Sequence, residues 1–193
     1  MHKLRLTKAA SMKEDQESEL QALRKWFDFN TFSRRKYLDF ISGLPPDIVT
    51  KDTGASFPSI MDILTHTLDI YRFWLTMYET GRPPPDYESM KSDEEFRKLS
   101  LEEVKEFEDS IDARLEKFLQ SLTKETLDRT LELTVKEKNG NVTRQAKLIN
   151  SMYHLVEEDL QHRGEINAIF WQQDIKPPLQ SWFSWRVANN RAV

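Results

Sequence analysis

Cysteine is absent from this 193-residue chain. Its absence excludes disulfides, thiolate metal sites and a cysteine nucleophile together. Any chemistry therefore falls to histidine, carboxylates and hydroxyls. Long hydrophobic runs are absent too. No stretch approaches the roughly 20 apolar residues that a bilayer span requires, so no membrane partner is expected. The N-terminal MHKLRLTKAASMKEDQ is basic but carries no apolar stretch of secretory length, and the cytoplasm is the expected compartment. Nor is there an excess of positive charge. The net charge is -4 and no Lys/Arg stripe alternates with aromatics, which argues against a nucleic-acid partner.

What is present is a globular composition, 31% charged and 38% hydrophobic, in a length that suits one domain. Residues 1–13 read as a tail, 14–178 as the domain and 179–193 as an aromatic-rich C-terminal tail. Within the domain, apolar residues recur at spacings of three and four in four segments, the period of a helix buried on one face. The first segment runs from Glu14 to Ser42, with Leu20, Leu23, Phe27, Leu38 and Ile41 near one face. It stops at Gly43-Leu44-Pro45-Pro46 and a loop is expected to Ser56. The second runs from about Pro58 to Gly81. A polar, proline-rich connection follows, RPPPDYESMKSDEE, long enough to cross the fold. The third, Leu101 to Leu122, presents one apolar stripe and an opposite charged face. Around Asn139-Gly140 the pattern switches to alternation, which marks a small β-hairpin. The fourth helix runs from Leu148 to Gln173. The expected fold is thus all-α, a four-helix bundle with a long second-to-third connection and a hairpin before the fourth helix.

Two apolar seams contain polar side chains. On the second helix Ile63, His66, Ile70, Phe73 and Met77 follow alternating steps of three and four, which points His66 inward. On the fourth, Leu148, Met152, Leu155, Glu158, His162, Ile166 and Ile169 form one stripe. Four residues on, a helical side chain returns to nearly the same direction, so Glu158 and His162 can converge on one point. A carboxylate on a buried seam needs a cation or a close donor. A divalent metal supplies one; so would a protonated histidine, with Glu158 simply paired to His162 or His154. Taken singly, His66 reads as a satisfied core histidine and the Glu-x-x-x-His pair as a solvated one. Their conjunction on inward positions of two helices favours a metal.

The stretches LRKWFDFNTFSRRKYLDFISGLPPD, ASFPSIMDILTHTLDIYRFWL and MYHLVEEDLQHRGEINAIFWQQDIKPP resemble, in order and spacing, the DinB/YfiT-like superfamily of metal-dependent enzymes. The most specific elements are His66 with the aromatic turn to Trp74, and His162-Arg163-Gly164-Glu165. The resemblance implies a DinB-type four-helix bundle holding one divalent metal through three side chains, here His66, Glu158 and His162. Glu158 stands where most such proteins have a histidine. The mycothiol-dependent maleylpyruvate isomerase branch is similar in using a His, Glu, His set. Zinc leads among the metals, with nickel, iron or manganese as other candidates. A carboxylate in place of an imidazole lowers the formal charge of the site from about +2 to +1, which weakens its power to acidify a bound group.

The function implied is a metal-dependent transferase or hydrolase. It would act on a small-molecule substrate by activating a low-molecular-weight thiol or water at an open metal position. The alternative is a non-catalytic metal-binding or damage-response protein. His154, one turn before Glu158, reads as a second-shell partner, a substrate-facing base or a core residue. Arg163 and Glu165 point away from His162 and are expected to pair with another helix, while Gly164 permits close helix approach. Tyr71 and Trp74 read as core, with a pocket wall as the other reading. Trp182, Phe183 and Trp185 either fold back on the bundle or meet a second copy in a homodimer.

Overall fold

Capping chemistry at the polar junctions sets where the helices begin and end. The computed structural model describes the backbone of residues 2–86, 98–137 and 140–190, and the side chains of 19–86, 98–134 and 140–189. Helix α1 spans His2–Ile41, so helical backbone extends well before Glu14. Its five expected seam residues, Leu20, Leu23, Phe27, Leu38 and Ile41, are all buried. The short helix α2, Pro46–Thr50, occupies part of the expected loop. A proline in the first turn loses no hydrogen bond, so Pro46 starts this helix as readily as Pro45 blocks continuation of the last. Helix α3, Ile60–Thr80, starts where Ser59 Oγ accepts from the Asp62 amide. It ends at Gly81, whose φ of 73° suits a residue without Cβ. Helix α4, Leu101–Ser121, opens on a capping box between Ser100 and Glu103.

One further turn, α5 (Lys124–Leu127), leads into an antiparallel hairpin of β1 (Thr130–Glu137) and β2 (Gly140–Lys147). Glu137 pairs with Gly140 in the register, and Asn139 of the expected turn lies outside the described residues. Helix α6, Leu148–Gln172, follows β2 directly. Its first amide is taken by the Arg129 carbonyl at 2.8 Å. The expected C-terminal tail contains helix α7, Trp182–Asn190.

Side-chain pairs give the helix directions. Arg34 meets Glu108 while Arg24 meets the Leu119 and Leu122 carbonyls, so α1 and α4 are antiparallel. His66 faces His162 and Trp74 faces His154, so α3 and α6 are antiparallel. Tyr71 shares a level with Arg34 and Glu108, and Tyr78 stacks on Phe118, so α3 and α4 run parallel. Two parallel neighbours in sequence need a long connection. Residues 82–86 and 98–100 of it are described, and the rest lies outside the described residues. At the C-terminus, Trp182 stacks on Trp26 with ring centroids 4.1 Å apart, and Trp185 lies 5.7 Å from Phe29. These two tryptophans therefore fold back on α1, while Phe183 stays 75% exposed.

The charged face expected on α4 is not wholly solvated. Glu108 is 2% exposed, and both its oxygens accept from Arg34 Nε. Arg34 also reaches Asp159 of α6 at 2.5 Å and Asp112 of α4 at 3.1 Å, and its guanidinium lies 4.2 Å over the Tyr71 ring. Tyr71 in turn donates to Asp159 at 3.0 Å. Each of the four long helices contributes to this layer, which satisfies charges that could not otherwise be buried. Burial alone would lower the Arg34 pKa, but Glu108, Tyr71, Asp159 and Asp112 hold it well above the ordinary value.

Candidate metal centre

One turn beyond this layer, α3 and α6 bring His66, Glu158 and His162 together. Each offers a ligand atom, and these atoms lie within 4.8 Å of one another. Glu158 Oε2 stands 3.3 Å from His162 Nε2. Two donors about 2.1 Å from one tetrahedral ion are separated by about 3.4 Å, so this pair needs no rearrangement. His66 completes the group from the facing helix, its ring 5.0 Å from that of His162 at 83°. All three are half-buried, and among the described residues no fourth His, Asp or Glu joins them.

The other nitrogen of His162 is also engaged. Nδ1 lies 3.3 Å from Glu165 Oε2, one turn along α6. Glu165 Oε1 accepts from the Ser56 amide at 2.8 Å and from the Ser56 hydroxyl. A carboxylate at Nδ1 fixes the ring with Nε2 toward Glu158, an arrangement that orients metal-ligating histidines. Burial raises the Glu165 pKa, but Ser56 and His162 outweigh it and hold the carboxyl below its usual range. The Phe57 ring lies over His66 at 4.2 Å and 5.5 Å from His162.

Burial, with His162 adding to it, pushes the His66 pKa down to about 4. A metal ligand must be neutral, and His66 is neutral throughout the physiological range. Because the folded state holds His66 neutral below the ordinary 6.5, protons favour unfolding between 6.5 and about 4. Metal-free protein should therefore lose stability as pH falls through that window. Leucine at position 66 should remove this part of the slope. Thermal unfolding of both forms at pH 7 and pH 4.5 checks the expectation.

Residues 12–178 match the model of the DinB family. The chain belongs to the DinB family. No curated protein matches it. Among solved structures it is similar to a DinB-like protein from Bacillus cereus, at 13% identity and a TM-score of 0.61 over 83% of this chain and 97% of that one. A DinB-like protein from Bacillus subtilis is similar at 13% identity and a TM-score of 0.56, over 80% and 96%. At such identity these likenesses speak for the fold.

Several neighbours of the candidate site in this DinB protein differ from expectation. The His154 side chain is 44% exposed, which removes the core reading; its Nε2 sits 3.5 Å from Glu158 Oε1. Arg163 does meet another helix, its guanidinium 4.8 Å over Phe29 of α1. Glu165 does not, since its partners are Ser56, in the segment before α3, and His162 on its own helix. Gly164 is exposed, and a Cβ there would meet open space, so no close approach explains it. Tyr71 is core, fully buried in the Arg34 layer. Trp74 is partly buried, edge-on to His154. Behind His162 lies a cavity of about 20 Å³ lined by Arg34, Thr67, Asp159 and Arg163 among others, room for about one water. The roles of Glu165 and Ser56 were not legible. The spacing of Glu165 three residues from His162 was the available signal.

Proposed function

We propose that this DinB protein is a metal-dependent enzyme, a transferase or hydrolase, built as a DinB-type four-helix bundle. One divalent ion, zinc first among the candidates, is held by His66 of α3 and by Glu158 and His162 of α6. The observation that carries this reading is the convergence of three donors within 4.8 Å. Neutral His66 and the Glu165 anchor on His162 support it. Two histidines and one carboxylate are the donor set of open catalytic sites. Such an ion, when bound, supplies a Lewis acid that promotes ionisation of a thiol or water.

The chain's own residues do the rest. Glu165 keeps the lone pair of His162 aimed at the centre. Glu158 offsets one positive charge, so the site suits a group that ionises readily, and a low-molecular-weight thiol fits this better than water. The resemblance of His66, Glu158 and His162 to the His, Glu, His set of the mycothiol-dependent branch supports the thiol reading. The exposed His154, beside Glu158 Oε1, orients the carboxylate from outside the ligand set. The substrate is a small molecule, and the compartment proposed is the cytoplasm.

The test is thermal unfolding of chelator-stripped protein with and without zinc, for wild type and His66→Ala. Ligand in hundredfold excess over its Kd adds about 2.7 kcal/mol, or roughly 5–10 °C for a domain of this size. Wild type should show that shift and His66→Ala should lose it. Equal shifts in the two would remove His66 from the site.

A further inference from the structure

The segment between α2 and α3, residues 51–59, carries two contacts with the candidate centre that its composition does not foretell. Ser56 is bound to Glu165 through both its amide and its hydroxyl, across 109 positions of sequence. The same carboxylate holds His162 Nδ1 through its other oxygen. One residue on, the Phe57 ring lies nearly face to face with His66, at 4.2 Å and 31°, and edge-on to His162 at 5.5 Å and 71°. Two consecutive residues therefore restrain the two histidine ligands, which come from different helices. Within the segment, short-range bonds join neighbouring residues. The Thr53 amide donates to the Pro58 carbonyl at 2.8 Å, and the Gly54 amide to Asp52 at 2.9 Å. Ser56 itself is exposed, so its bonds to Glu165 are a main reason for the segment to stay where it is.

We infer that Ser56 is a positioning residue of the metal centre, acting through Glu165 on His162, and that Phe57 holds His66 in place from the other side. The inference rests on the metal reading above. It has a chemical basis in each direction. A metal on Nε2 fixes the proton of His162 on Nδ1 and makes it a better donor, which strengthens the bond to Glu165. A carboxylate oriented by Ser56 presents its second oxygen to that proton without first losing rotational freedom. Metal binding and docking of residues 51–59 thus favour each other, and such a coupling is equal in both directions. The segment is part of the site although none of its side chains is a ligand.

The probe is zinc alone, on the full chain, with two readouts. Zinc affinity is measured by competition with a chromophoric chelator for wild type, Ser56→Ala, Ser56→Thr and Phe57→Leu. Hydrogen exchange of amides 53–57 is followed with and without zinc. Loss of an outer-shell partner costs about 10–100-fold in affinity. Ser56→Ala keeps the amide bond, so about tenfold is expected, and Ser56→Thr should recover most of it. Phe57→Leu should weaken binding to a comparable degree. Zinc should slow exchange at the Ser56 amide in wild type and do so less in Ser56→Ala. Metal-free melting temperatures of the two Ser56 variants should stay within a degree or two of wild type, since Ser56 is exposed and substitution at an exposed position rarely costs more. Wild type that takes up no zinc would sink the metal reading and this inference together. Wild type that binds zinc, with affinity unchanged by both Ser56→Ala and Phe57→Leu and exchange unchanged by the metal, would sink this inference alone.

Discussion

Arg34→Met is expected to destabilise the fold by roughly 3–5 kcal/mol at pH 7.5, the cost of leaving buried charges unpaired. Asp112 would keep Arg35, at 2.7 Å. Glu108 and Asp159 would lose their guanidinium, while Tyr71 would still donate to Asp159. Burial already lifts the Glu108 pKa to about 7 against the pull of Arg34, and removal of Arg34 lifts it further. A carboxyl whose folded pKa is raised contributes stability at low pH and loses it as pH rises through that value. The gap between variant and wild type should therefore be widest above pH 7 and shrink at pH 5, where the proton replaces the lost partner. Arg34→Lys keeps the charge but not the fork that reaches three carboxylates at once, and it should fall between the two. Urea unfolding at both pH values decides the matter. A methionine variant within 1 kcal/mol of wild type at pH 7.5 would mean that the layer contributes little net stability.

Glu158 carries the second large effect. Glu158→His keeps three donors and should bind zinc within about tenfold of wild type. Glu158→Leu leaves two donors and should bind at least a hundredfold more weakly, beyond the usual loss of an outer-shell partner. The histidine variant also bears one more positive charge, which should make its bound water or thiol more acidic. If Glu158 only paired with a histidine, leucine would be the better replacement on this apolar seam and zinc affinity would not separate the variants. Isothermal titration of the three proteins side by side distinguishes these outcomes.

The seams were legible because helical periodicity reports which face is buried. His66 among Ile63, Phe73 and Met77, and Glu158 with His162 between Leu155 and Ile166, stand out as polar interruptions of an apolar stripe. The end of α3 at Gly81 was legible from its glycine, and the start of α4 at Leu101 from its apolar stripe. The Arg34 layer was not. A charged residue on a helix reads as solvated, and Glu108 and Asp159 are exceptions only because Arg34 reaches them from 74 and 125 positions away. The contact between Ser56 and Glu165 escaped for the same reason. Elements of four and five residues, α5 and α2, are too short to show a period. The direction taken by Trp182 and Trp185 depended on whether α1 offered Trp26 and Phe29 at the right height, which local pattern does not encode.

The most direct measurement is anomalous diffraction at the zinc edge from crystals of this protein grown with zinc. One strong peak per chain is expected, bonded at about 2.0–2.2 Å to nitrogens of His66 and His162 and to a Glu158 oxygen. A zinc peak held by other residues, or the three side chains pointing apart with no peak between them, would contradict it.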